Sequence, residues 1–117
     1  MKALNEKQAI FAKNVAKLIL FIFDQGYSCS LGEVYRTQAQ ADLYEKHGKG
    51  IKNSLHCKRL AIDVNLFASD GHYFPDTKDY EPIGKYWEAL DKNNRWGGRF
   101  SDGNHFEMRD LDDVSKV

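Results

Sequence analysis

The sequence has little cysteine: Cys29 and Cys57 are the only two among 117 residues. That is too few for the disulfide framework of a small secreted domain, and neither belongs to a Cys-x-x-Cys pair that would hold a metal. Reduced, structural thiols of a cytosolic product are the expectation. Cys57 adjoins His56, but neighbours on an extended segment point to opposite sides, which disfavours a Cys-His nucleophile. Excess charge is also absent. Lys plus Arg and Asp plus Glu both number 17, which argues against a sequence-tolerant nucleic-acid binder, whose affinity rests on surplus cations. The apolar run Leu18–Phe23 is too short to span a bilayer, and Asp24-Gln25-Gly26 after it offers no small-x-small cleavage site. No repeat, linker or low-complexity tract divides the chain. One domain over residues 1–117 is expected, with a polar, fraying tail at 109–117.

What is present is ordered by periodicity. Phe11, Val15, Leu18 and Ile22 recur at helical spacing, widened by Ala12, Ala16, Ile19 and Phe23, between an N-cap at Asn5 and a stop at Gly26. Tyr27 to Tyr35 reads as extended, with Gly32 as a bulge. Thr37 with Gln40 forms a capping-box signature for a short helix closed by Gly48. His47 to Asn53 is a basic, glycine-containing loop; it reads as solvated, with a place beside an anionic substrate as the functional alternative. Leu60, Ile62, Val64 and Leu66 alternate with Ala61, Asp63 and Asn65, the pattern of a half-buried strand. Asp70-Gly71 marks a hairpin, and Pro82 opens a helix through Ile83, Tyr86, Trp87 and Leu90. Trp96 suits either the core or a cleft wall, and Gly97-Gly98 permit a sharp bend before Asp102. The architecture expected is α+β, a small antiparallel sheet with helices on its apolar face and a cleft on the other.

Two segments concentrate chemistry. His56 is followed seven residues later by Asp63, and Asp102 precedes His105 by three. Two imidazoles and one carboxylate form a three-ligand set that suits zinc and leaves a fourth position open. The remaining carboxylate is then free to carry a proton. Strand alternation aims Asp63 away from the aliphatic face, and it sets His105 and Glu107 on one side with Phe106 and Met108 on the other. His72 is the rival ligand, but it lies beyond the strand without a carboxylate at useful spacing. Arg36, at a strand end, reads on its own as the partner of a surface acid.

The order Ser54-x-His56, Asp63, then Asp102-x-x-His105-Phe106-Glu107 resembles the zinc D-alanyl-D-alanine carboxypeptidase and L-alanyl-D-glutamate endopeptidase family. That family includes small phage endolysins and shares its fold with the hedgehog signalling domain. Tyr35-Arg36-Thr37 with Gln40, and Trp96-Gly97-Gly98, extend the resemblance from about Gly26 to Met108. Arg59 departs from it, standing where the family commonly has glycine. The resemblance implies one Zn²⁺ per chain on His56, Asp63 and His105, with Asp102 as the general base. It also implies Arg36 as a substrate-binding and oxyanion-stabilising group. For Ser54 it implies substrate binding, beside the equal alternative of a bond to backbone near His56. The implied partner is a peptidoglycan stem peptide, cut at L-alanyl-D-glutamate first and D-alanyl-D-alanine second, by a monomer without a membrane segment. An endolysin of this kind is made in the bacterial cytoplasm and acts on the wall after release. Two other classes stay open: a His-metal nuclease using Asp63 and Asn104-His105 with Mg²⁺, and a non-catalytic domain that keeps fold and metal.

Overall fold

The computed structural model describes residues 2–51 and 53–111. The elements run α1 (Leu4–Asp24), β1 (Ser28–Leu31), α2 (Gln38–Lys46), β2 (Ala61–Phe67), α3 (Glu81–Leu90), β3 (Asn94–Trp96) and β4 (His105–Met108). Short 3-10 turns occupy Leu55–Lys58, Thr77–Tyr80 and Gly97–Phe100. The strands form one antiparallel sheet in the order β1-β2-β4-β3, so the protein has the expected α+β architecture. Among the described residues no helix is long and apolar enough to cross a membrane.

Alternation along β2 decides which face is which. Ile62, Val64 and Leu66 are buried, and Phe106 and Met108 of β4 join them under α1 and α3. Trp87 of α3 centres this core, with Phe11 edge-on at 5.6 Å and Phe106 at 6.0 Å. Its indole N–H donates to the Glu107 carbonyl at 3.0 Å, which satisfies the one polar atom such a ring carries inside a core. Tyr80 makes a second tie: its hydroxyl accepts from Leu66 N–H at 3.0 Å and donates to the Phe74 carbonyl at 2.8 Å.

Three details differ from the sequence expectation. The cap of α1 is Ala3, whose N–H bonds the Glu6 carboxylate at 3.1 Å, and Asn5 lies inside the helix. The buried stripe of α1 is Lys7, Phe11, Asn14, Leu18 and Ile22. Ala12, Ala16 and Phe23 face solvent, because the helix is turned so that Phe21 stacks on Tyr86 of α3 at 3.9 Å. Nor does the tail fray from Arg109: its N–H donates to the Asn93 carbonyl, and Asp110 pairs with Lys7 and Lys58. Residues 112–117 lie outside the described residues.

Several local expectations hold, although His56 and Cys57 lie on a 3-10 turn and not on an extended segment. Gly26 and Gly48 follow their helices with φ of 87° and 72°, and Thr37 Oγ1 accepts from Gln40 N–H at 3.1 Å. Gly32 N–H donates to the Asp63 carbonyl while Asp63 N–H donates to that of Glu33, so two residues face one of β2. That is the bulge. Phe67 bridges to Tyr73 across the Asp70-Gly71 turn. Both cysteines are free thiols, and Cys57 Sγ lies 3.8 Å from the Thr37 carbonyl.

Candidate active site

The sheet face away from the helices carries the site. In the β2–β4 register Asp63 and His105 are direct cross-strand partners, and Ala61 opposes Glu107. Alternation therefore sets both functional side chains on the polar face while Ile62 and Phe106, paired between them, go into the core. His56 arrives from the 3-10 turn just before β2. Ser54 caps that turn, its Oγ accepting from His56 N–H at 3.2 Å. Gly97 completes the convergence, because a Cβ there would collide with the Asp102 carbonyl oxygen and come within 2.8 Å of His105 Cβ. Trp96 lies outside the cleft lining, with its indole N–H on the Gly103 carbonyl at 2.7 Å.

His56 Nε2 lies 3.5 Å and His105 Nδ1 3.4 Å from Asp63 Oδ1. One ligand atom from each residue fits within 4.8 Å of the others. Tetrahedral ligation with bonds of about 2.0–2.1 Å puts ligand atoms roughly 3.3 Å apart, which the two separations from Asp63 already match. The far ring nitrogens are also committed. His56 Nδ1 lies 3.0 Å from the Val34 carbonyl and His105 Nε2 lies 2.7 Å from Glu107 Oε1. Each acceptor fixes that nitrogen as N–H, so the inward nitrogen is the one that would give up its proton to a metal. Glu107 is in turn held by Arg95, whose Nε donates to Oε2 at 2.7 Å.

The charges follow from this packing. Burial alone would raise the Asp63 pKa, but hydrogen bonds from His105 and His56 outweigh it and hold the carboxyl at about 2. Burial would likewise lower His105; the carboxylates of Asp63 and Glu107 instead raise it to about 9. Glu107 is depressed, its partners His105 and Arg95 overcoming burial. Asp102 goes the other way. Burial lifts its pKa, with the nearby Asp63 charge adding to the rise, while Oδ2 stays 4.0 Å from His105 Nδ1 and half the side chain remains exposed. A carboxylate with a raised pKa beside a trio able to hold a metal is placed to accept and return a proton.

Arg36 also reaches the cleft. Its Nε and Nη2 donate to Glu33 Oε1, its Nη1 lies 3.3 Å from Ser54 Oγ, and its plane sits 4.8 Å from the Tyr44 ring centre. Arg36 and Ser54 each make the internal bond of their plainer reading, and both also line the cleft. Helix α2 flanks the site through Tyr44 rather than covering the apolar sheet face. His72 is exposed and packs on Phe74. Sequence reasoning missed the outer supports, Glu33, the Val34 carbonyl and Arg95. Only Glu107, one alternation step beyond His105, could have been found by pattern.

A family model described as D-alanyl-D-alanine carboxypeptidase matches residues 47–108. The chain belongs to the D-alanyl-D-alanine carboxypeptidase family. The matched span contains His56, Asp63, Asp102 and His105, so the peptidase family's own region of the chain holds the converging trio; Arg36 falls before it. Among solved structures, the Serratia marcescens L-Ala D-Glu endopeptidase ChiX has a similar fold. Its TM-score is 0.67 at 19% sequence identity, over 90% of this chain and 85% of that one. No curated protein sequence matches.

Proposed function

We propose that the protein is a zinc-dependent peptidoglycan peptidase that hydrolyses a stem-peptide bond. The observation that carries this reading is the meeting of His56, Asp63 and His105 at ligand spacing in an open cleft, with a half-exposed Asp102 at its rim. His56 Nε2, Asp63 Oδ1 and His105 Nδ1 would hold the ion. When bound, zinc supplies Lewis-acid polarisation of a carbonyl and makes water a competent nucleophile near neutral pH. Asp102 takes the proton of the attacking water at Oδ2 and returns it to the leaving amine. Arg36 Nη1 and Ser54 Oγ orient the peptide from the side of the cleft beside α2. Glu107 and the Val34 carbonyl keep the two imidazoles turned inward.

The L-alanyl-D-glutamate bond is the first candidate, supported by the fold shared with an endopeptidase of that specificity. The D-alanyl-D-alanine bond is the second, supported by the family's description. Digestion of purified peptidoglycan followed by mass spectrometry separates them. New amino termini on D-glutamate are expected, abolished by a chelator and restored by zinc. Intact stem peptides after treatment with zinc-loaded protein would sink the proposal, and nicking of plasmid DNA by the same preparation would favour the nuclease.

A further inference from the structure

We propose that Lys49 forms a carboxylate subsite in the cleft, recognising the free carboxylate of the residue on the amine side of the cleaved bond. This rests on the peptidase reading above. Three cations line the cleft of about 580 Å³ among the described residues: Arg36, Lys49 and Arg95. Two already have a carboxylate within the protein. Arg95 places Nε and Nη2 on Glu107. Arg36 commits Nε and Nη2 to Glu33 and points Nη1 at Ser54. The Nε/Nη2 edge with which an arginine grips a carboxylate side-on is therefore occupied in both. Lys49 is exposed and, among the described residues, forms no ion pair.

The loop that carries Lys49 is anchored. Its own N–H donates to the Tyr44 carbonyl at 2.8 Å, and the residue before it is Gly48 at φ 72°. A Cβ at Gly50 would lie 3.4 Å from Tyr44 Cβ and 3.7 Å from Arg36 Nη1. Lys49 thus lines the cleft, together with Arg36 and Ser54, from a loop tied to the end of α2. Both candidate bonds present the same chemistry to that wall. The residue after the bond is D-glutamate linked onward through its side chain, or a terminal D-alanine, and each leaves an α-carboxylate beside the scissile nitrogen. A lysine suits such a group, because its three donors on a flexible stem meet an anion without demanding bidentate geometry.

The test uses two synthetic stem peptides, matched at whichever bond the zinc-loaded protein cuts and differing only in whether that carboxylate is free or amidated. Wild type should prefer the free acid roughly five- to tenfold in kcat/KM, mostly through KM, as expected for a charged contact in an open cleft. Lys49→Gln should reduce the preference to within about twofold with bound zinc unchanged, and Lys49→Arg should restore it. Calorimetric binding of the two peptides to zinc-loaded Asp102→Asn protein should show the same ratio. Retained preference in Lys49→Gln would overturn the subsite and hand the carboxylate to Arg36. Cleavage of both peptides by wild type without preference would overturn the subsite and leave the peptidase reading standing. Cleavage of neither would overturn both.

Discussion

On the sheet wall of the cleft, Asp63 and His105 sit opposite one another in register, each fixed by strand pairing and each backed by buried groups. On the other wall, Arg36, Ser54 and Lys49 come from three separate segments, held by contacts between side chains or between a loop and a helix end. The first wall is rigid because the sheet that positions it is also the core. The second is assembled from a buried Ser54, a half-buried Arg36 held by Glu33 and an exposed Lys49 whose N–H is tied to Tyr44. Two of the three candidate ligands therefore belong to the sheet, whereas His56 depends on a turn capped by Ser54. Of the second wall, only the proposed contacts of Arg36 and Lys49 can thus be altered without touching that turn. Functional groups on strands hold closer tolerances than groups on loops, which suits the two candidate ligands on β2 and β4.

The sharpest way to break this division is to separate holding the metal from moving a proton. Asp63→Ala or His105→Ala should strip the metal. Asp102→Asn keeps the shape but accepts no proton, so zinc should stay while kcat falls by about 10²–10⁴-fold, the usual contribution of a general base. Bound zinc and cleavage rate are measured on one preparation of each variant. Loss of zinc from Asp102→Asn would mean that the two aspartates exchange roles.

Next in size is the support behind His105. Glu107→Gln leaves an acceptor at Nε2 but removes the charge, and zinc affinity should fall by about 10–100-fold, as when an outer carboxylate is lost. Competition with a chelator measures it. The same pairing sets a pH dependence in the metal-free protein. His105 has its pKa raised from 6.5 to about 9, so its contribution to stability is whole below pH 6.5 and is lost as pH rises through about 9. Asp63, depressed from 3.8 to about 2, contributes above 3.8 and loses its contribution as pH falls through about 2. Urea midpoints of the chelated protein should drop across the alkaline window, and Glu107→Gln should flatten that drop. Zinc loading at pH 7 should release a proton from His105, seen as buffer-dependent heats. A midpoint independent of pH between 6.5 and 9 would show that the His105–Glu107 contact does not hold the charge.

The sequence made the sheet wall legible and left most of the other wall obscure. Alternation through Leu60–Leu66 and through His105–Met108 was enough to assign every side chain of β2 and β4 to a face, because a period of two leaves one choice once the aliphatic set is known. The caps at Thr37 and Gly48 could be read for the same local reason. The orientation of α1 could not, since Phe23 and Phe21 are equally apolar and only the stack on Tyr86 decides which turns inward. The pairing of Arg36 with Glu33 joins residues three apart outside any helix, where no periodicity predicts a meeting. The cost of Arg59 was also hidden until its backbone angles were known.

Arg59 offers the smallest effect and the finest test of the loop between His56 and β2. It closes the 3-10 turn at φ 55° and ψ 39°, the left-handed region that costs a residue with a Cβ about 1–2 kcal/mol. That is a physical reason for glycine at this position. The side chain recovers part of the cost, for the guanidinium lies 4.0 Å from the Tyr35 ring centre, a contact worth about 0.5–1 kcal/mol at an exposed site. Glycine would relieve the strain but lose the ring contact, and its freer unfolded chain costs a further ~0.4–1 kcal/mol. Arg59→Gly should therefore shift stability by no more than about 1 kcal/mol in either direction. A cycle with Tyr35→Leu isolates the ring contact: without the tyrosine, Arg59→Gly should be more favourable by about 0.5–1 kcal/mol, read from urea midpoints at constant m-value. Equal effects in the two backgrounds would show that the stacked arginine does not offset the strain. The left-handed turn would then have to be held by its backbone bonds to His56 and Leu55 alone.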